Sequence, residues 1–267
     1  MELPDGMVVA WLDRATGEVT IVREEYRAVA LEVLAPYVSQ PNGLPPSSMS
    51  PLPPRLPSLP PLTPGDDLAR NRPGEALRDK LAAEGPGSLE RLISWLLRRE
   101  SEWSPWRRGL VGERRVGAEL ERLSGQGWYV LHSILLPNSV DIDHLLIGPG
   151  GVFNINTKHY PEKNVWVGND SVTVNHGPPR PHTRRVRTEA RRVQRVLERY
   201  SGTAVHVQPA LVFVGVSELE PVATLHDVKV WHQREVAALG PLTGVLTPGQ
   251  IQTLYAIARH RLAWAEV

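Results

Sequence analysis

The chain has no cysteine, only two phenylalanines and only four lysines among its 267 residues. The missing thiols exclude disulfides, thiolate nucleophiles and cysteine-ligated zinc. Long apolar runs are absent as well. The most apolar short run, LERLISWLL at 89–97, falls well short of the roughly 20 residues that cross a bilayer. The opening MELPDGMVVAWLDR places acids early and does not read as a secretory signal. A soluble, cytoplasmic protein with no membrane partner is the expectation. Neither sign of charge is in excess: 30 basic and 29 acidic side chains leave +1, so global charge points to no partner. No P-loop, HExxH or serine-triad pattern is visible. What the chain does have is a 41% hydrophobic content, enough for a core, and 25 prolines concentrated in its first third.

MVVAWL (7–12) and EVTIVR (18–23) flank DRATGE and predict a hairpin with Gly17 in its turn. EEYRAVALEVLAPYV (24–38) repeats apolar residues at helical spacing. Together they make a small ββα unit over 1–38, too small to be stable without packing on something. Residues 39–73 read as a linker. Its stretch SQPNGLPPSSMSPLPPRLPSLPPLTPGD (39–66) is dense in proline and serine and has no period. Such composition spaces domains, and it can also offer a Pro-rich ligand to a protein partner. Short helical stretches at 74–84 and 87–100 make a connector over 74–104.

From 105 to 267 the pattern is regular. GLVGERRVGAELERLSGQG (109–127) predicts a helix with Leu110, Val116, Leu120 and Leu123 on one face, stopped by Gly125 and Gly127. Strands follow at 128–136, 140–148 and 151–159, then a hairpin at 164–168 and 171–175. A long helix is expected at 183–200 and strands at 209–216 and 228–232. A final helix runs from Thr247-Pro248 to Trp264, with threonine as N-cap and proline in the first turn. This order predicts an α/β fold, a mixed central sheet flanked by helices.

The segment VDIDHLLIGPGGVFNINTKHY (140–160) carries the chemistry. Side chains alternate across a strand. Asn154, Asn156 and Lys158 therefore share one face of a strand, and Asp141 and Asp143 share one face of its neighbour. The turn at 148–151 aims Asp143, Asn156 and Lys158 at a common point, with Asp141 beside them. Carboxylate and amide oxygens suit a hard cation such as Mg2+. An ammonium beside that cation steadies charge developing on a phosphate or orients a water. Phosphodiester hydrolysis uses this combination. Each residue also has a plainer reading: Asp143 as a strand-end cap, Lys158 as a solvated edge charge. His144 lies on the strand face opposite Asp143 and reads as a hydrogen-bonded structural residue. His159 is placed near enough to meet a phosphate. GPGG precedes no helix and reads as a turn.

GERRV at 112–116, DIDHLLIGPGGVF at 141–153 and NTKHY at 156–160 together resemble the NERD (nuclease-related) domain. That family is assigned to the PD-(D/E)xK, or restriction-endonuclease-like, superfamily. The resemblance covers residues 109–215 and implies a restriction-endonuclease-like core. It also implies metal-dependent cleavage of nucleic-acid phosphodiesters with Mg2+ or Mn2+. It matches Asp143 to the motif acid of the second strand, Lys158 to the motif lysine of the third and Glu113 to a helix glutamate. The implied catalytic set is Asp143, Asn156, Lys158 and Glu113, and the implied metal ligands are Asp143, Glu113 and Asp141. One position departs from the family pattern. The acid expected two residues before the lysine is Asn156, which offers a carbonyl oxygen but no charge. The metal site is then one negative ligand short unless Glu113 or Asp141 compensates. A catalytically impaired binding or scaffold module of the same fold is therefore the alternative expectation.

HTRRVRTEARRVQRVLERY (182–200) places Val186, Ala190, Val193 and Leu197 on a stripe that packs on the sheet. Arg184, Arg187, Arg191 and Arg195 lie on the far side, flanked by Arg185, Arg192 and Arg199. A row of guanidinium groups fits a nucleic-acid backbone, DNA or RNA, with strong salt dependence; a solvated helix face has the same pattern. Trp128, Trp166 and Trp231 sit in strands and read as core rather than as base-stacking platforms.

Overall fold

Apolar residues recur in the runs on either side of the turn at 148–151, and both runs are strands. The structure, a computed structural model, describes residues 8–12, 19–34, 56–84, 104–137 and 140–266. The expected helix at 87–100, the turn at Gly17 and linker residues 39–55 lie outside them. The chain divides into two units, Met1–Arg55 and Leu56–Val267. In the first, β1 (Ala10–Leu12) pairs antiparallel with β2 (Val19–Ile21), and α1 (Arg27–Leu34) follows. This is the expected ββα order. Ala30 is buried on α1, while Val29, Leu31 and Val33 stay exposed.

The second unit begins with α2 (Glu75–Glu84) and α3 (Ser104–Glu121). Strands β3 (Tyr129–Leu136), β4 (Val140–Gly148) and β5 (Gly151–His159) then form an antiparallel meander. A hairpin of β6 (Asn164–Val167) and β7 (Val172–Val174) leads into α4 (His182–Ser201). The chain continues through β8 (Val207–Val214), β9 (Glu218–Pro221), β10 (Lys229–His232) and α5 (Pro248–Ala258). The central sheet has the order β10-β8-β5-β4-β3, and β8 runs parallel to both β5 and β10. Parallel pairing of β5 with β8 requires a long crossover, and α4 lies within it. A separate three-stranded sheet has the order β7-β6-β9.

Helices cover the two faces of the central sheet. Val116 and Leu120 of α3 pack with Leu146, Phe153 and Ile155. Ala190, Val193 and Leu197 of α4 pack with Leu145, Ile147 and Val152, joined by Ile251 and Leu254 of α5. The architecture is α/β with a five-stranded mixed sheet flanked by helices, consistent with a restriction-endonuclease-like core. Trp128 is buried in it, but Trp166 is 43% exposed, because β6 belongs to the small sheet. Strand β9 was not expected: ELEP has two acids and a proline, and it pairs along β6. No helix among the described residues is long and apolar enough to cross a membrane.

The expected final helix is split. α5 starts as expected, with Thr247 and Gln250 capping each other reciprocally, but it stops at Ala258. Tertiary pairing explains the break. The Leu68 amide donates to the Arg259 carbonyl and the Arg261 amide to the Asp66 carbonyl, both at 2.8 Å. Residues 56–73, the second half of the expected linker, thus pack against the C-terminal segment. Leu68 is only 4% exposed within the α4-side core. The Arg259 guanidinium forks onto the Asp67 carboxylate, Nε to Oδ1 at 2.9 Å and Nη2 to Oδ2.

That fork holds the Asp67 carboxyl below its ordinary value of 3.8, chiefly through the Arg259 hydrogen bonds and against the effect of burial. A depressed carboxylate contributes stability that is present above the unfolded pKa and is lost as pH falls through the folded one. Asp67→Asn should therefore cost about 1.5–3 kcal/mol near neutrality. Urea titrations of wild type and variant should converge below pH 3.8. A constant gap down to the acid transition would contradict this.

Candidate active site

Helix α3 can approach β5 because residue 112 is glycine. A Cβ there would stand 2.9 Å from the Cβ of His159 and 3.2 Å from Cγ2 of Thr157. The close approach seats the next residue, Glu113, beside the end of β5. A cleft of about 1370 Å3 opens there, lined by Glu113, Asp141, Asp143, Asn156, Thr157 and Lys158. The Gly-Glu pair thus has two physical roles, clearance and then charge.

Asp143 sits where β4 loses its regular pairing. Toward β3, the register runs His132 to His144 and Ile134 to Ile142, passing over Ser133 and Asp143. Ser133 has φ 48, in the left-handed region, which a β-branched or bulky residue would resist. Toward β5, pairing ends at His144 and Ile155. The Asp143 Oδ2 instead accepts the Thr157 amide at 2.6 Å. A side chain replaces a ladder bond, and the carboxylate is fixed at the mouth of the parted strands. The Lys158 ammonium donates to the Thr157 carbonyl at 3.0 Å.

These acids crowd each other. Burial raises the Glu113 carboxyl to about 9; Asp143 and Asp141 add to the rise, while Lys158 and the Gly74 amide oppose it. Asp143 is raised to about 7, again first by burial, with Lys158 and the Thr157 amide acting against it and Asp141 and Glu189 adding to it. Asp141 is raised by burial and drawn down by Lys158 and Lys80. Glu113 Oε2 and Asn156 Oδ1 are buried and have no hydrogen-bond partner. Unsatisfied buried acceptors of this kind call for an explanation. Among the described residues, no three His, Cys, Asp or Glu side chains stand arranged around a common ion. The protein offers oxygen donors on parted strands rather than a closed cage.

The arginines divide. Arg184, Arg185 and Arg192 line the cleft, as does Arg180 in the loop before α4. Arg191 and Arg195 line a separate shallow groove of about 350 Å3 with Thr188 and Gln194. Arg187 is occupied within the protein: its Nε and Nη2 reach Asp227 at 2.6 and 2.8 Å, and its Nη1 reaches the Asn169 carbonyl. His144 faces His132, Nδ1 to Nδ1 at 2.8 Å, in the interior. His159 lines the cleft, with Nδ1 2.8 Å from the Arg108 carbonyl.

Two cleft residues escaped the sequence reading. His182, the first residue of α4, lies 2.8 Å through Nε2 from the Tyr160 hydroxyl. Burial, together with Lys158, Arg180 and Arg185, lowers it to about 3, so it is neutral at ordinary pH. No pattern in PPRPH announces it. Glu189 is only 8% exposed, and its Oε2 accepts from Asn156 Nδ2 at 3.2 Å. Its signal was legible: position 189 falls three after Val186 and four before Val193, on the stripe that packs against the sheet.

Residues 108–214, somewhat under half of the chain, match the family model of the nuclease-related domain, NERD. The matched segment runs from α3 through β8 and contains every acid of the cleft. No curated protein and no solved structure matches the chain significantly.

Proposed function

Taking residues 108–214 as a nuclease-related domain, we propose that the chain hydrolyses phosphodiester bonds of a nucleic acid, assisted by a divalent cation in the cleft. The observation that carries this reading is that Glu113, Asp141, Asp143 and Lys158 line one cleft together with Arg184, Arg185 and Arg192. The donor set fits Mg2+ or Mn2+. Every donor is an oxygen, and two of them, Glu113 Oε2 and Asn156 Oδ1, are buried without a partner. Mg2+ keeps several waters and needs only one or two carboxylates, so an open protein site suits it. When bound, the cation polarises a phosphoryl oxygen and makes a water a stronger nucleophile.

The chain's own residues do the remainder. Asp143, aimed by the Thr157 amide, and Glu113 would hold the cation, with Asp141 beside them and the Asn156 amide oxygen as a neutral donor. The Lys158 ammonium faces the charge that grows on the phosphoryl oxygens. A preorganised cation in a partly dry cleft serves that purpose better than one that must reorient. The cleft arginines neutralise flanking phosphates, which makes affinity fall steeply with salt.

The test is cleavage of single- and double-stranded DNA and RNA by purified wild type, Asp143→Ala and Lys158→Ala with Mg2+ or Mn2+. Each variant should lose about 100-fold or more. Equal cleavage by all three proteins would mean a contaminant and would remove this reading. Asn156 in place of an acid favours a second reading, a module that binds nucleic acid without cleaving it. That reading requires salt-sensitive binding with no metal-dependent products, and absence of binding at low salt would remove it.

A further inference from the structure

From the side chains around Asn156 we infer that Glu189 supplies, from helix α4, the carboxylate that strand β5 lacks at position 156. The inference rests on the nuclease reading for its chemistry, but it concerns which groups bind a divalent cation. Helix α4 crosses the face of the sheet that carries Asn154 and Asn156. Its buried stripe runs Val186, Glu189, Ala190, Val193, so one acid stands among apolar residues. Removing a carboxylate from water costs several kcal/mol unless the charge is well compensated, and an apolar residue at 189 would pack at no such cost.

Glu189 receives a hydrogen bond from a strand amide. Asn156 Nδ2 donates to Oε2 at 3.2 Å, while the neighbouring Asn154 Nδ2 donates to the Val186 carbonyl of the same helix at 3.4 Å. Asn156 thereby does two things. Its nitrogen orients the Glu189 carboxylate, and its Oδ1 is left buried with no donor. An aspartate at 156 would set two anions against each other at this spot. Asparagine with a helix glutamate delivers one charge and several oxygens to the same place.

A ligand is called for by a further observation. Glu113, 5% exposed, lines the same cleft with its Oε2 unpartnered. Glu113, Asp141, Asp143 and Glu189 all border the cleft, and Lys158 stands among them. Such a set of oxygens suits a divalent cation. A purely structural Glu189 would only tie α4 to β5 through Asn156. Glutamine can accept the same amide hydrogen bond, and this separates the alternatives.

Mn2+ binding to the full chain, followed by the loss of its free electron-paramagnetic signal, decides between them. The proteins are wild type, Asp143→Asn, Glu189→Gln, Asn156→Asp and the double variant Asn156→Asp/Glu189→Gln, each checked for folding by circular dichroism. Glu189→Gln should weaken binding by about tenfold or more, as Asp143→Asn does. The double variant, with the acid returned to the strand, should recover to within about threefold of wild type, less than 1 kcal/mol. Wild-type affinity in folded Glu189→Gln alongside a loss in Asp143→Asn would overturn the assignment and leave the cleft reading intact. No binding by wild type, or equal binding by Asp143→Asn, would remove both. If Glu189→Gln fails to fold, the double variant decides alone: recovered affinity supports the assignment, and lost affinity overturns it.

Discussion

Replacing Glu113 by glutamine should raise the thermal midpoint of the metal-free protein by roughly 4–8 °C, about 2 kcal/mol for a unit of this size, while abolishing cleavage. Glu113 is buried beside Asp143 and Asp141, and each of them disfavours its charge. Glutamine has nearly the same shape, keeps an oxygen for the Gly74 amide and carries no charge. Active sites commonly hold such destabilising groups because function needs them. The measurement is a melting curve in EDTA, paired with a cleavage assay. A lowered midpoint with cleavage retained would make Glu113 a structural residue and remove it from the site.

Removing residues 1–104 should leave a chain that does not fold cooperatively, whereas removing residues 1–55 should leave cleavage and stability close to wild type. The shorter deletion follows the boundary of the second unit at Leu56. The longer one strips away Leu68, whose burial contributes about 1.5–3 kcal/mol, and Asp67 with its fork from Arg259. It also removes Asn71, whose side-chain amide donates to the Ser133 carbonyl at 3.0 Å. The Glu75 amide, 3.0 Å from the Ser133 hydroxyl, goes with it. Ser133 lies where Asp143 loses its strand pairing, so these contacts support the site as well as the fold. Losses of this size consume much of the 5–15 kcal/mol that holds a domain together. A 105–267 fragment with an unchanged melting curve and unchanged cleavage would contradict the assignment of residues 56–84 to the unit that carries the cleft.

The hairpin of β4 and β5 was legible because two strong local signals agree there. Apolar alternation marks the strands, and a Gly-Pro-Gly-Gly turn fixes how they fold back. Helix α4 was legible for the same reason, its stripe being long and its polar face dense in arginine. Residues 56–73 were not. Proline-rich composition describes how a chain behaves alone, and the pairing of this segment with Arg259 and Arg261 is a long-range tertiary contact. The break of the last helix after Ala258 has the same origin. Strand β9 is held by its neighbour β6, against the preference of its own residues.

Side-chain competition explains the differences at the site. Spacing placed Arg184, Arg187, Arg191 and Arg195 in one row, but spacing does not reveal that Asp227 captures Arg187. Glu189 stands among arginines in the sequence. Its position on the buried stripe was the better clue, since a lone acid there has to meet something inside the protein. Asn156 and Glu189 are distant in sequence, and only the packing of α4 on β5 makes them a pair.

The central claim is that the cleft at the parted ends of β4 and β5 holds a divalent cation for phosphodiester cleavage. Anomalous diffraction from crystals soaked in Mn2+ tests it most directly. The account predicts one strong peak in that cleft, bonded to an Asp143 oxygen at roughly 2.0–2.2 Å, with the Lys158 ammonium facing the same space. No peak there at a Mn2+ concentration that supports cleavage, or a peak bound away from Asp143, would contradict it.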